Sequence, residues 1–225
     1  MTDAPLPSPA VAAGNEPQLR LVRARGVYER RCKRLFDVVV GAGLAAIALP
    51  IVLIVALAVR VKLGSGVFYS QERIGRNGAV FTIWKFRTMR PDRRHRQDTI
   101  ENDRRMQHKA DDDPRHTRLG RLLRKLSLDE LPQLWNVLRG DMSLVGPRPE
   151  IRSVAEARGY VDHVRHEVRP GMTGPFQTSD LRLSGDLRDG LTVDAEYVQN
   201  ITFRQDLVYL GKTVTTMLGG SSQGT

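Results

Sequence analysis

Asp129 and Glu130 are the residues whose types and surroundings could do chemistry. These adjacent acids lie in one of the most basic parts of the chain. Arg115, Arg118, Arg121, Arg124 and Lys125 precede them, and Arg139 and Arg148 follow. An ionised aspartate among arginines is a candidate nucleophile toward phosphorus: a carboxylate can form a covalent intermediate, and nearby cations offset phosphate charge. Arg148 stands between Pro147 and Pro149. Pro149 biases Arg148 toward extended geometry and Pro147 fixes its own φ, so the guanidinium is presented from a stiff backbone. That suits bidentate phosphate binding. The plainer readings are a helix cap paired with arginines and a rigid turn whose arginine faces water.

The elements that must position these groups can be read from periodicity. Leu119, Leu122, Leu123 and Leu126 recur at i, i+3, i+4 and i+7, which predicts an amphipathic helix with a basic face. Leu131, Leu134, Trp135 and Leu138 repeat the pattern. Ser127 to Glu130 has the form of a capping box, which would put Asp129 in a first helical turn, where the ionised form is favoured. Pro132 disfavours helix at Leu131 and leaves the exact start open. Upstream, Val67-Phe68-Tyr69 and Val80-Phe81-Thr82-Ile83-Trp84 flank Gly75 and Asn77-Gly78 and predict a β-hairpin. Lys85 and Arg87 follow its second strand. Downstream, helices are expected over roughly 151–167 and 203–218, with a loop from Thr173 to about Gly190.

The chain has 225 residues and a net charge of +10, which points to anionic partners. Aromatics are only 6%, without the aromatic–basic interleaving of single-strand binders, so nucleic acid is not expected as a partner. Cys32 is the single cysteine, which excludes an internal disulfide and a cysteine-based zinc site. His163 and His166 form the only histidine pair at helical spacing, and no further metal ligands accompany them.

Residues 1–27 read as a disordered tail, 28–64 as a membrane segment, 65–218 as a catalytic domain and 219–225 as a C-terminal tail. From Val38 to Val59 there is no charge. About 22 residues at 1.5 Å rise match a bilayer core of ~30 Å. Arg30, Arg31, Lys33 and Arg34 precede this block, and Arg60 and Lys62 follow it. Positive charge marks the cytoplasmic side, and here both flanks carry it. Pro50 near the midpoint cannot donate to the carbonyl of Ala46. A helix that enters, breaks at Pro50 and returns satisfies both observations. A plain crossing also remains open, because spanning helices tolerate proline. Residues 90–113 are highly charged and weakly periodic, reading as a surface loop or polar helix.

Several motifs in order resemble the bacterial sugar transferases, the monotopic phosphoglycosyl transferases. They are Lys33-Arg34-Leu35-Phe36-Asp37, Lys85-Phe86-Arg87-Thr88-Met89, Asp113-Pro114-Arg115, Ser127-Leu128-Asp129-Glu130-Leu131-Pro132-Gln133, Gly146-Pro147-Arg148-Pro149 and Arg169-Pro170-Gly171-Met172-Thr173-Gly174. Tyr197-Val198-Gln199-Asn200 and Asp206-Leu207 complete the set. The resemblance covers about residues 31–218. It implies an α/β fold, mostly helical with a small β-hairpin, and a re-entrant helix-break-helix packed on a cytoplasmic catalytic domain at the bacterial inner membrane. It further implies transfer of sugar-1-phosphate from a nucleoside diphosphate sugar, usually a UDP-sugar, to undecaprenyl phosphate, starting exopolysaccharide, O-antigen or glycoprotein glycan assembly. UMP leaves, and Asp129 forms a covalent phosphosugar intermediate.

By the same resemblance, Glu130 helps hold Mg2+ or the geometry of Asp129. Lys85, Arg87, Arg124, Arg148, Arg169 and Gln177 are expected at the substrate or phosphate. Magnesium binds carboxylate and phosphate oxygens and could bridge Asp129, Glu130 and the diphosphate. Anionic lipid of the inner membrane is expected under the basic helix, and homodimerisation is left open. The family's Gly-Arg step after Gln177 is not clearly present, so the donor sugar is not set by the motifs. The rival reading is a non-catalytic membrane scaffold that binds anionic lipid or nucleic acid; it leaves the ordered motifs unexplained.

Overall fold

The structure is a computed structural model that describes residues 25–90, 115–179 and 187–218. Most of the expected N-terminal tail, nearly all of the charged 90–113 segment, His95 and His108 and the 219–225 tail lie outside the described residues.

A π-helical turn, Tyr28–Cys32, leads into α1, Lys33–Leu63. The run Tyr28–Leu63 is long and apolar enough to cross a membrane. Helix α1 continues through Pro50, so the expected break is not a gap in helical structure. Proline removes a single i→i−4 bond, and intact turns on both sides carry the helix past it.

One face of α1 is buried along its length through Lys33, Asp37, Gly41, Ala48, Val55 and Val59. The opposite face leaves Leu35, Ile47, Ile54 and Leu57 66–74% exposed. Both ends of α1 therefore pack on the same body. Ala48 joins the larger core with Ile83, Leu134, Val137, Met142, Val145 and Tyr197. Val55 and Val59 join a smaller one with Phe86 and Leu123. Gly41 permits close approach to the helix Gln133–Arg139, because a Cβ there would lie 3.3 Å from Val137 Cγ1.

The start of α1 is tied down by buried polar groups. Lys33 Nζ donates to Asp206 Oδ2 at 2.6 Å and to the Val145 carbonyl at 3.1 Å. Tyr28 and Tyr197 also donate to Asp206, each at 2.7 Å. Asp37 Oδ1 accepts from Ser143 Oγ at 2.9 Å and Leu144 N at 3.0 Å. Three donors on Asp206 replace the water that its carboxylate loses on burial.

The expected hairpin is present. Strands β1, Phe68–Ile74, and β2, Val80–Phe86, pair antiparallel with Tyr69 opposite Lys85 and Phe68 opposite Phe86. Asn77, at φ 56°, and Gly78, at φ 77°, make the turn. Helix α2, Arg118–Lys125, is capped by Thr117 Oγ1, which accepts from Gly120 N at 2.9 Å. A 3₁₀ turn, Leu128–Glu130, precedes α3, Gln133–Arg139. Strand β3, Ser143–Val145, runs parallel to β4, Gly171–Thr173, a pairing the sequence did not announce. Helix α4, Arg152–Ala157, is shorter than the 151–167 helix expected, because Gly159 turns the chain at φ 73° and a separate 3₁₀ turn covers Val164–Glu167. Helix α5, Leu187–Gln199, begins within the expected loop, and α6, Phe203–Leu218, lies where periodicity put it. Among the described residues the chain is thus mostly helical with two small sheets.

Candidate active site

The acidic dyad sits where α2, β2 and α3 meet. The expected capping box does not form. Ser127 adopts left-handed geometry, φ 54° and ψ 19°, and its side chain caps nothing. Pro132 explains the difference: it serves as N-cap of α3 at φ −61°, where a missing N–H costs little, so α3 starts after the dyad. Asp129 and Glu130 lie instead in the tight turn, closed by Glu130 N donating to the Ser127 carbonyl at 3.2 Å. A non-glycine residue in left-handed geometry costs of order 1–2 kcal/mol, here two positions before Asp129.

Strand β2 sorts the surroundings into two faces. Asn136 on α3 stitches α3 to β2: its Nδ2 donates to the Thr82 carbonyl at 2.7 Å and its Oδ1 accepts from Trp84 N at 3.2 Å. Trp84 and Lys85 are consecutive, so their side chains leave opposite faces. On the Lys85 face is a small polar pocket lined by Lys85, Glu130, Gln133, Arg148 and Gln177, with Arg73. On the Trp84 face is an apolar groove of about 470 Å³ whose walls include Ala48, Val52, Phe68, Leu131 and Trp135. Glu130 belongs to the pocket, and Leu131, the next residue, to the groove.

Electrostatics distinguish the two acids. Lys85 Nζ lies 2.5 Å from Glu130 Oε1. Burial pushes the Glu130 carboxyl up, but Lys85 and Arg148 outweigh it and hold the group below its usual range. Asp129 is 8% exposed. Burial, reinforced by the charge of Glu130, pushes its carboxyl up to about 6, against the opposing pull of Lys85 and Arg124. The expectation that surroundings favour ionised Asp129 is thus corrected: desolvation exceeds the pull of the cations. At neutral pH the carboxylate still predominates, and it is more basic than a solvated aspartate.

The remaining expected residues divide. Arg148 is exposed between buried Pro147 and Pro149 and lines the pocket. Arg124 acts on Asp129 electrostatically and sits 3.3 Å from His116 Nε2. Gln177 faces the pocket, and neither of its amide atoms has a hydrogen-bond partner among the described residues. Arg87 points elsewhere: its Nη2 donates to the Leu63 and Gly64 carbonyls at 2.6 and 3.3 Å, closing the C-terminus of α1. Arg169 donates to the Gly140 carbonyl at 2.8 Å, while Arg34 covers the Val137 and Leu138 carbonyls. Free carbonyls at helix ends attract cations, so these arginines close helices rather than line the pocket. Burial pushes the Arg169 guanidinium below its usual range.

Gln133 and Arg73 line the pocket and were not foreseen. Gln133 directly follows Pro132 in the dyad motif, which was its one signal. Arg73 was signalled by nothing local, since β-pairing carries it to the site. Glycines bring the strands behind the pocket together: a Cβ on Gly174 would lie 2.0 Å from the Gly146 carbonyl oxygen.

Two carboxylates, one engaged by Lys85, form a sparse donor set, and no group of three or more His, Cys, Asp or Glu suited to a metal occurs among the described residues. Magnesium commonly takes one or two carboxylates and completes its shell with phosphate and water, so the pair fits that ion when a diphosphate is bound.

The family description "Bacterial sugar transferase" matches residues 28–220. The chain is 41% identical to the uncharacterized sugar transferase EpsL of Bacillus subtilis, over 83% of this chain and 87% of that protein. It is 38% identical to the UDP-glucose:undecaprenyl-phosphate glucose-1-phosphate transferase of Caulobacter vibrioides, over 92% and 79%. Against the undecaprenyl-phosphate galactose phosphotransferase of Salmonella typhimurium it is 38% identical, over 84% of this chain but 41% of the larger protein. With the match running from the first turn before α1 to the end of α6, the chain belongs to the bacterial sugar transferase family.

Proposed function

We propose that the protein transfers sugar-1-phosphate from a UDP-sugar to undecaprenyl phosphate through a phosphosugar ester on Asp129. The observation that carries this reading is the position of the turn that holds the dyad: Glu130, next to Asp129, lines a cationic pocket, and Leu131 lines an apolar groove. Such a junction suits a reaction that joins a water-soluble diphosphate to a lipid phosphate. Names of relatives support both substrates.

Arg148 and Lys85 bind the diphosphate of the donor. An oxygen of ionised Asp129 attacks the phosphorus that bears the sugar. The bond from that phosphorus to the bridging oxygen breaks, and UMP leaves with the electron pair. An oxygen of the lipid phosphate then attacks the same phosphorus, and the Asp129 carboxylate is released. Bound magnesium, held by Asp129 and Glu130, would supply charge neutralisation at the diphosphate. Lys85 keeps Glu130 ionised throughout. The groove receives the isoprenoid chain beside Leu131 and Pro132.

The apolar face of α1 lies in the bilayer at the cytoplasmic side. Two facts support a monotopic arrangement in which α1 enters and returns. Both of its flanks are basic, and both of its ends pack on the catalytic body.

The test omits the lipid. Donor labelled in the sugar is mixed with enzyme and magnesium, and the digested protein is mapped by mass spectrometry. The expected result is a phosphosugar on the peptide holding Asp129, with stoichiometric UMP. Robust turnover without adduct, requiring both substrates together, would replace the ester with direct displacement. No UMP release across a donor panel would return the scaffold reading.

A further inference from the structure

We infer that Arg165 is a positioning residue for Arg148, and that Asp194 on α5 holds Arg165 for that task. The inference rests on the reading that Arg148 binds phosphate. It starts from how the segment 147–150 is held. Pro147 and Pro149 have no N–H, so this stretch offers mainly carbonyls to the protein. All four find donors. Pro147 O accepts from Gly171 N at 2.9 Å and Glu150 O from Ile74 N at 2.8 Å. Pro149 O accepts from Arg73 Nη1 at 3.5 Å. Arg148 O accepts from Arg165 Nη2 at 2.7 Å. The shorter of the two side-chain contacts thus falls on the residue whose guanidinium reaches the pocket.

Arg165 is itself placed by the core. It is 6% exposed, and its Nη2 lies 3.0 Å from Asp194 Oδ2, which is 1% exposed. Its guanidinium carbon stands 5.7 Å from the centre of the Tyr160 ring. The 3₁₀ turn that carries it starts with His163 Nδ1 accepting from Arg165 N at 3.2 Å. A cation aimed at one backbone carbonyl, braced by a buried carboxylate and an aromatic ring, fixes the direction in which Arg148 leaves the chain. Nothing about Arg165 in the sequence marks it: it lies 17 residues from Arg148.

A double-mutant cycle tests the inference, with binding of UDP measured by calorimetry on full-length protein in detergent with magnesium. Arg165→Lys keeps a positive charge, but its shorter side chain withdraws the donor from the position of Nη2, the one nitrogen that reaches both Arg148 O and Asp194 Oδ2. It is expected to weaken UDP binding roughly tenfold, the order of one charge-assisted hydrogen bond. In an Arg148→Ala background the same change should cost less than about twofold, because the group it positions is gone. Asp194→Asn, which keeps the shape and one acceptor, should behave in the same way and serves if Arg165→Lys does not fold.

A tenfold loss from Arg165→Lys or Asp194→Asn that persists undiminished in the Arg148→Ala background overturns the inference and leaves these residues general supports. Wild-type affinity in the single variants also overturns it. If Arg148→Ala itself binds UDP as wild type does, the phosphate reading of Arg148 fails, and the inference with it.

Discussion

Lys85 Nζ stands 2.5 Å from Glu130 Oε1, in the direct reach of a pocket that Arg148 also lines. The pair joins a strand to the turn that holds the proposed nucleophile. Replacing Lys85 by Met removes the cation that acts on both acids. The expected loss in kcat/KM is at least ~1.5 kcal/mol, the lower end for a hydrogen bond to a charged group. Steady-state UMP release measures it, and near-normal turnover would reduce Lys85 to a surface charge.

The same residue sets a pH signature. The nucleophile must be ionised, and the Asp129 carboxyl is raised to about 6. For wild type, kcat/KM should climb through about pH 6 and level above it. Lys85 lowers both carboxyls, so Lys85→Met should move that limb to higher pH. A profile flat from pH 5 to 8 would remove Asp129 from the acid-sensitive step. Asp129→Asn should abolish both half-reactions, whereas Glu130→Gln should impair metal use and leave a trace.

Arg148→Lys retains charge but loses the fork, and the backbone that presents it is unchanged. A loss of at least ~1.5 kcal/mol in transition-state stabilisation is expected. Turnover close to wild type would assign the residue a generic electrostatic role.

Asp206 has no exposure and accepts from Lys33, Tyr28 and Tyr197. Asp206→Ala strands the Lys33 ammonium in the core. Breaking such a buried pair typically costs about 3–5 kcal/mol. Thermal unfolding in detergent should show a large drop or no folded protein. A midpoint within about 2 °C of wild type would contradict the network's role.

For the membrane segment, both ends of α1 should label from the cytoplasmic side. Single cysteines near residues 28 and 64, placed after Cys32 is replaced, report this with a membrane-impermeant reagent. Labelling from opposite sides would establish a crossing helix. Pro50→Leu should shift some molecules toward that form.

Local patterns made much of this legible. The hairpin, α2, α6 and the apolar run announced themselves by period, turn residues and length. The dyad and Arg148 were visible because their neighbours in sequence are also their neighbours in space. The misses share a cause: the outcome depended on tertiary partners. Ser127 looked like a cap, yet Pro132 moved the helix start past it. Arg87 and Arg169 looked like phosphate ligands, yet unfilled carbonyls at two helix ends claim them. Strands β3 and β4 are three residues each, too short for a periodic signal, and they pair only because glycines let two backbones touch.

The alternation of Trp84 and Lys85 on β2 has a consequence for how this protein can vary. A single-residue insertion in β2 ahead of Trp84 would exchange the faces, burying an ammonium in the groove and an indole in the pocket. Such a variant could keep a stable hairpin and still lose its chemistry. The connection at residues 75–79, which Gly75 N and the Ala79 carbonyl close at 2.6 Å, carries no such parity. Added length there costs only slowly growing loop entropy. Length changes should therefore be accepted at the tip in any number and in β2 only in twos.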